Sequence, residues 1–525
     1  METIIKNANI IDGTGKKMFQ SDIGIERDKI KSIGNLQNKK ADLVIDGSGL
    51  YIAPGFVDIL NHSDSYLTIF SMPEAQSLVS QGITTILCGN CGSSLAPLVD
   101  EKAIKSIQKW GDISQLSVNW KEMNEFLKVV EGLKLGINFA TLVGHSTLRR
   151  GLIGDVYRAL MPKEIEDMKF LFSEALNQGA FGLSFGLAYS HEKIAPQEEL
   201  IELAKVMQKN KGMLAIHLRS EDEEILSSIN EALTITNYAQ TSLEISHFKV
   251  LGENFWIKWP KSLQLLEESA KGKMNVNFDL YPYRTAGVVF HLFLPDWIKR
   301  GGKNNMLRQL KKPEIREKVL GELRSSKLNI DEFVPSISRL GKSIIGKTMK
   351  EIADSQGIGV EEAALDMFII SEGRLIVFAP AISQGNVKQG IIHPLSFIAS
   401  DGAGYDLEYG KKTGELIHPR SFGAFPRFLR KYVIEENMMT WEDAIKKITS
   451  GPAKKIGLKN RGELKEGNFA DIVVFDPKTI ADRATFTNPY QASDGIEYVF
   501  VNGQMAIRGK KLTKSRSGMV LKKNK

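Results

Sequence analysis

The chain has little cysteine: two residues in 525, Cys88 and Cys91. That excludes a disulfide-stapled framework and leaves the CxxC pair to act as ligands or reactive groups. No run approaches the roughly 18 consecutive apolar residues of a membrane span, so no membrane partner is expected. The opening METIIKNANIIDGTG lacks a basic stretch followed by an apolar core and a small-residue cleavage site, which makes the cytoplasm the expected compartment. Charge of one sign is equally scarce. The 69 basic and 62 acidic residues leave a formal +7 spread along the chain, favouring solubility and giving no nucleic-acid footprint. The basic end KKLTKSRSGMVLKKNK reads as a solvated tail.

What is present is 42% apolar and 8% aromatic composition, enough for a large core and too long a chain for one simple unit. Residues 1–52 alternate in the strand manner, with Asp12-Gly13 and Gly47-Ser48-Gly49 as turns. The same texture returns in NFADIVVFDP (468–477) and GIEYVFVNGQMAIRGKKL (495–512), where Asn502-Gly503 is a hairpin signal. The two ends therefore read as halves of one small, discontinuous β-sandwich domain. The first half is 1–52, and the second lies within 446–525, after the last helix of the central unit.

Between them, residues 53–445 alternate apolar strands with amphipathic helices, the signature of a parallel βα architecture. Eight strands are expected: 56–60, 84–89, 137–144, 181–186, 213–218, 243–248, 276–283 and 397–402. Eight fit a (β/α)₈ TIM barrel, whose active site lies at the C-terminal ends of the strands. The gap before the last strand is too long for one connection. It reads as a helical insertion at about 285–395 with one probable extra strand, LIVFA (375–379), set over the barrel mouth as a lid or packed on its flank.

The CxxC pair is ambiguous by itself. A redox role needs the cysteines to open a helix, whereas Ile83 to Leu87 reads as a strand running into a Gly-Asn turn. The company of Cys91 favours a metal. His62, His217, His247 and Asp401 each fall, like Cys91, at or just beyond the end of an apolar run, where barrel sites are built.

These residues sit in segments that carry a family resemblance. PGFVDILNHSD (54–64), TTILCGNCGSSLAPL (84–98), LVGHSTLRRGLIG (142–154) and GAFGLSFGLAYSH (179–191) are followed in order by ISHFKVLGENFW (245–256) and DLYPYRTAG (279–287). SDG (400–402), HPRSFGAFPRFLRKYV (418–433) and GELKEGNFADIVVFDP (462–477) complete the series. The chain resembles the amidohydrolase superfamily and, within it, the N-acyl-D-amino-acid deacylases, or D-aminoacylases, nearly end to end. The resemblance implies one tightly bound zinc on Cys91, His217 and His247, with Asp401 as catalytic acid/base. One thiolate and two imidazoles suit zinc and leave it an open position. The implied reaction is hydrolysis of the amide bond of an N-acyl-D-amino acid, whose carboxylate would be held by Lys249, Tyr189, Tyr283 and Arg420. His145 and Arg149 stay open between support and substrate contact.

One departure matters. Where the family's first strand presents two histidines one residue apart, this chain has Leu60, Asn61 and His62, so His62 keeps half of a weaker second metal position. A mononuclear enzyme is expected. The alternatives are a cyclic-amide hydrolase of the hydantoinase or dihydroorotase kind, and a catalytically decayed scaffold on the same fold. Against the former, the end of strand four reads Phe185-Gly186-Leu187 and lacks the lysine those enzymes carboxylate.

Overall fold

A computed structural model describes residues 1–107, 110–111, 113–326, 329–337, 344 and 346–523. The fold is α/β. At its centre a six-stranded parallel sheet runs Val143–Gly144, Gly182–Gly186, Met213–His217, Ser242–Ile245, Val276–Leu280 and Ser396–Ile398, in that spatial order. A three-stranded parallel sheet joins Phe56–Asp58, Ile83–Cys88 and Asn138–Thr141. Hydrogen bonds continue past both sheets. The segment 138–144 supplies a strand to each, and at the far side Asp401 N donates to Leu60 O and His62 N to Gly402 O. Ile83–Cys88 is buried at every position, as expected of a strand covered on both faces. Helices such as Pro162–Asn177 and Ile225–Ala239 pack their apolar faces outside these strands.

Both termini enter one nine-stranded sheet. Thr3–Ile10, Phe19–Glu26, Lys29–Gly34, Leu43–Asp46 and Tyr51–Pro54 come from the start of the chain. Ile472–Phe475, Ile496–Val501, Gln504–Arg508 and Lys511–Leu512 come from its end. The seam is antiparallel, pairing Ile472 with Pro54 and Phe475 with Tyr51. Asn502 and Gly503 both have positive φ, the condition for a tight two-residue turn between right-twisted strands.

The stretch before the last central strand is more than helical. Ala286–Val289, Ile376–Ala379 and Val334–Ile337 form a three-stranded sheet with antiparallel pairings, next to helices Pro313–Ser325, Met349–Gln356 and Val360–Ile370. These elements share an apolar cluster of their own around Phe290, Leu320, Val377 and Phe368. The basic end also departs from expectation, since it is not free in solvent as far as residue 523. Gly518 N donates to Leu135 O, Phe139 N to Met519 O, and Leu521 N to Phe139 O. The apolar Met519-Val520-Leu521 thus covers a strand flank whose backbone groups would otherwise lack partners. Asn524 and Lys525 lie outside the described residues.

Candidate active site

Cys91, His217 and His247 converge at or just beyond the C-terminal ends of three different strands. One ligand atom from each lies within 4.8 Å of the others. Cys91 Sγ is 3.5 Å from His247 Nε2, and the two imidazole rings meet edge to face with centroids 4.4 Å apart. A tetrahedral zinc with bonds of about 2.3 Å to sulfur and about 2.1 Å to nitrogen places those atoms about 3.6 Å apart, so the spacing fits. Both ring nitrogens of His217 are buried without a hydrogen bond, which leaves either one able to act as a donor to a metal. Burial, reinforced by His247 alongside, holds His217 well below the usual imidazole range and therefore neutral, as coordination requires.

The three turns are built for this convergence. Cys91, His247 and Asp401 all have positive φ, a conformation that non-glycine residues adopt only where surrounding contacts enforce it. For Cys91 the contacts are close packing: a Cβ on Gly186 would lie 2.3 Å from Cys91 O. For His247 the enforcing group is Asp279, whose Oδ1 accepts from His247 N at 2.7 Å while its backbone oxygen accepts from Phe248 N. Beneath Asp401, Asp58 accepts from both the backbone and the hydroxyl of Ser400 and from Asn61 Nδ2. Burial outweighs these bonds and pushes the Asp58 carboxyl up to about 6.

Asp401 faces the cluster. Its Oδ1 is 3.0 Å from His62 Nε2 and its Oδ2 is 2.6 Å from Arg420 Nη1. Burial opposes its ionisation, but Arg420, His247 and His62 together hold the carboxyl well below the usual carboxylate range. His62 is thus engaged with Asp401, and its Nε2 lies 3.9 Å from Cys91 Sγ. Leu60 is buried in the apolar cluster behind it. Cys88 shares no role with Cys91: it is a free, buried thiol in a different part of the core, its pKa pushed up by burial.

A cavity of about 170 Å³ opens beside these groups. Tyr189, Lys249 and Arg420 line it. Tyr283 does not; Tyr281 takes that wall and lies under the Arg420 guanidinium at 4.7 Å. The strand ends at Leu280 and Tyr283 N donates to Tyr281 O, a tight turn that carries Tyr283 away toward Arg427 and His418. Lys249 reaches the cavity wall with its ammonium already on Glu221 Oε1 at 2.5 Å and on His247 O at 3.1 Å. Glu221 escaped the sequence reading. Its Oε1 lies 3.1 Å from His247 Nδ1, which also lies 2.9 Å from Lys249 Nζ, so Glu221 and Lys249 together fix that ring with Nε2 toward Cys91. His145 and Arg149 lie outside the cavity, in a fully buried network with Glu192 and Glu199.

Residues 417–507 match the Amidohydrolase family. The chain is 30% identical over 523 residues to a D-aminoacylase of Alcaligenes xylosoxydans xylosoxydans, covering 99% of this chain and 97% of that one. It is 31% identical over 525 residues to an N-acyl-D-aspartate deacylase of the same organism, covering 99% and 94%. An N-acyl-D-glutamate deacylase from Bordetella bronchiseptica superposes with a TM-score of 0.84 at 29% identity over 99% of both chains. That protein was crystallised with zinc and a phosphonate mimic of the reaction's tetrahedral intermediate. The chain belongs to the N-acyl-D-amino-acid deacylase (D-aminoacylase) family. A D-hydantoinase is similar in fold alone, with a TM-score of 0.57 at 14% identity.

Proposed function

We propose that this protein hydrolyses the amide bond of N-acyl-D-amino acids to a carboxylate and a free D-amino acid, with one zinc held by Cys91, His217 and His247. The observation that carries it is the cluster itself: one thiolate and two imidazoles at zinc spacing, with a carboxylate facing them at the end of another strand. When bound, zinc supplies a Lewis acid for the scissile carbonyl and lowers the pKa of an attacking water to about 7.

The chain's own residues do the rest. Asp401, kept ionised by Arg420, takes the proton of the attacking water at Oδ1, the oxygen beside His62, and returns it to the leaving amine. Arg420 gives one nitrogen to Asp401 and offers its remaining donors to the substrate carboxylate, supported from below by the Tyr281 ring. Tyr189 closes the side next to His217. Lys249 supports the same wall through Glu221. With Leu60 beside it and Asp401 as its partner, His62 forms no second metal site, and the enzyme is mononuclear.

The same reading includes a finer architecture. The strand-end hydrogen bonds support closure of the eight central strands into a (β/α)₈ barrel, and the nine-stranded sheet of the two termini, with an apolar cluster of its own, is read as the separate β-sandwich domain. Residues of about 285–395 form an insertion whose Val288, Val289, Leu292 and Phe293 wall the cavity, in the position of a lid. The test is turnover by the purified protein of N-acetyl-D-amino acids against their L-enantiomers and a hydantoin. Turnover of the D-series alone is expected, and faster turnover of the L-series or of the hydantoin would overturn the reading.

A further inference from the structure

The lining of the cavity beside the metal cluster carries the reacting groups and Arg420. The same lining also includes an apolar group, Val288, Val289, Leu292 and Phe293, together with Leu251. Cations also reach this cavity, but each is already committed. Arg219 places Nε and Nη2 on Glu231 at 2.8 and 2.7 Å and gives its other N–H groups to the carbonyls of Lys193 and Ala195. Lys193 and Lys299 meet on the two oxygens of Asp296, each at 2.7 Å. Lys249 is held by Glu221.

Each lining cation has a carboxylate partner: Arg219 takes Glu231, Lys249 takes Glu221, Arg420 takes Asp401, and Lys193 and Lys299 share Asp296. Arg420 keeps donors beyond the nitrogen it gives Asp401, and the α-carboxylate common to every N-acyl amino acid takes those.

We infer that the enzyme selects N-acyl-D-amino acids with apolar side chains, seated against Val288, Leu292 and Phe293, and discriminates against acidic ones. This rests on the deacylase reading. A side-chain carboxylate entering the cavity must either break an existing ion pair or lie unpaired against apolar side chains, and both lose the hydration of a charged group without return. An apolar side chain gains from leaving water at the same place.

The experiment compares kcat/KM of the zinc-loaded protein on N-acetyl-D-leucine, -D-methionine and -D-phenylalanine with that on N-acetyl-D-aspartate and -D-glutamate. The apolar substrates are expected to lead by ~10²-fold or more. Leu292→Arg, which adds an uncommitted cation to the apolar group, should narrow the leucine-to-glutamate ratio at least about 10-fold by raising the glutamate rate. Acidic substrates turned over as fast as apolar ones overturn the inference and leave the deacylase reading intact. So does a selective loss of glutamate turnover in Lys299→Met, which would assign acid recognition to that lysine. Failure of every D-substrate alongside turnover of L-substrates overturns both readings.

Discussion

Replacing Asp401 with Asn puts the proposed chemistry under direct strain while leaving the shape of the side chain intact. The carboxylate sits between Arg420 at 2.6 Å and His62 at 3.0 Å. The amide accepts no proton from the attacking water and delivers none to the leaving amine. General acid/base steps contribute roughly 10²–10⁴-fold, and with one residue serving both, kcat should fall by ~10³–10⁴-fold, about 4–5.5 kcal/mol of barrier. The fold is affected less. Removing one partner of a buried ion pair costs about 3–5 kcal/mol when the other is left bare. Here the amide oxygen still accepts a hydrogen bond, so the loss should lie at or below the lower end. The assay is kcat on an N-acetyl-D-amino acid, with zinc content and a thermal melt on the same preparation separating catalytic loss from folding loss. A zinc-replete, folded Asp401→Asn variant with kcat within about five-fold of wild type would refute the assignment.

Three further outcomes are expected. Arg420→Lys keeps the charge but loses the two-pronged geometry, so KM for an N-acyl-D-amino acid should rise more than kcat falls. The rise in KM should vanish on the corresponding amide, leaving only what kcat loses through the Asp401 contact; a KM rise that persists there would show that Arg420 does not hold the carboxylate. Glu199→Gln removes a carboxylate that burial would raise but that His145 and Arg149 hold down at about 2. Because that folded value lies below the ordinary 4.5, its stabilisation is complete above pH 4.5 and lost as the pH falls toward 2. Denaturant melts should therefore find the variant about 3–5 kcal/mol less stable at pH 7, with the gap closing through that window; a gap independent of pH would contradict it. Leu60→His should raise tightly bound metal from one toward two per chain by elemental analysis, and unchanged stoichiometry would show that Leu60 does not limit the second position.

Much of the centre of the molecule was legible because its strands are buried on both faces and so read as short apolar runs closed by turns. Each of the eight expected strands has an observed counterpart beginning within one residue of its expected start. The convergence of Cys91, His217 and His247 was legible for the same reason, since residues at or just past the C-terminal ends of parallel strands gather on one side. Three things were hidden. Glu221 is four residues past His217 in a turn, and no periodicity marks a carboxylate that reaches across to the neighbouring His247. Tyr281 and Tyr283 are interchangeable as letters; the tight turn after Leu280 decides which one enters the cavity. The strands Ala286–Val289 and Val334–Ile337 are four residues each, too short to stand out among helices. The end of the chain misled through composition: its lysines suggested solvent, while the three apolar residues among them pair with Phe139.

The central claim is that zinc on Cys91, His217 and His247 drives hydrolysis of the D-enantiomer, and adding zinc back to chelator-stripped protein tests it most directly. Hydrolysis of an N-acetyl-D-amino acid should rise from near zero and level off at about one zinc per chain. The L-enantiomer should stay unhydrolysed throughout, and Cys91→Ala should neither retain the metal nor recover. Activity that survives complete zinc removal, or that returns fully in Cys91→Ala, would contradict the account.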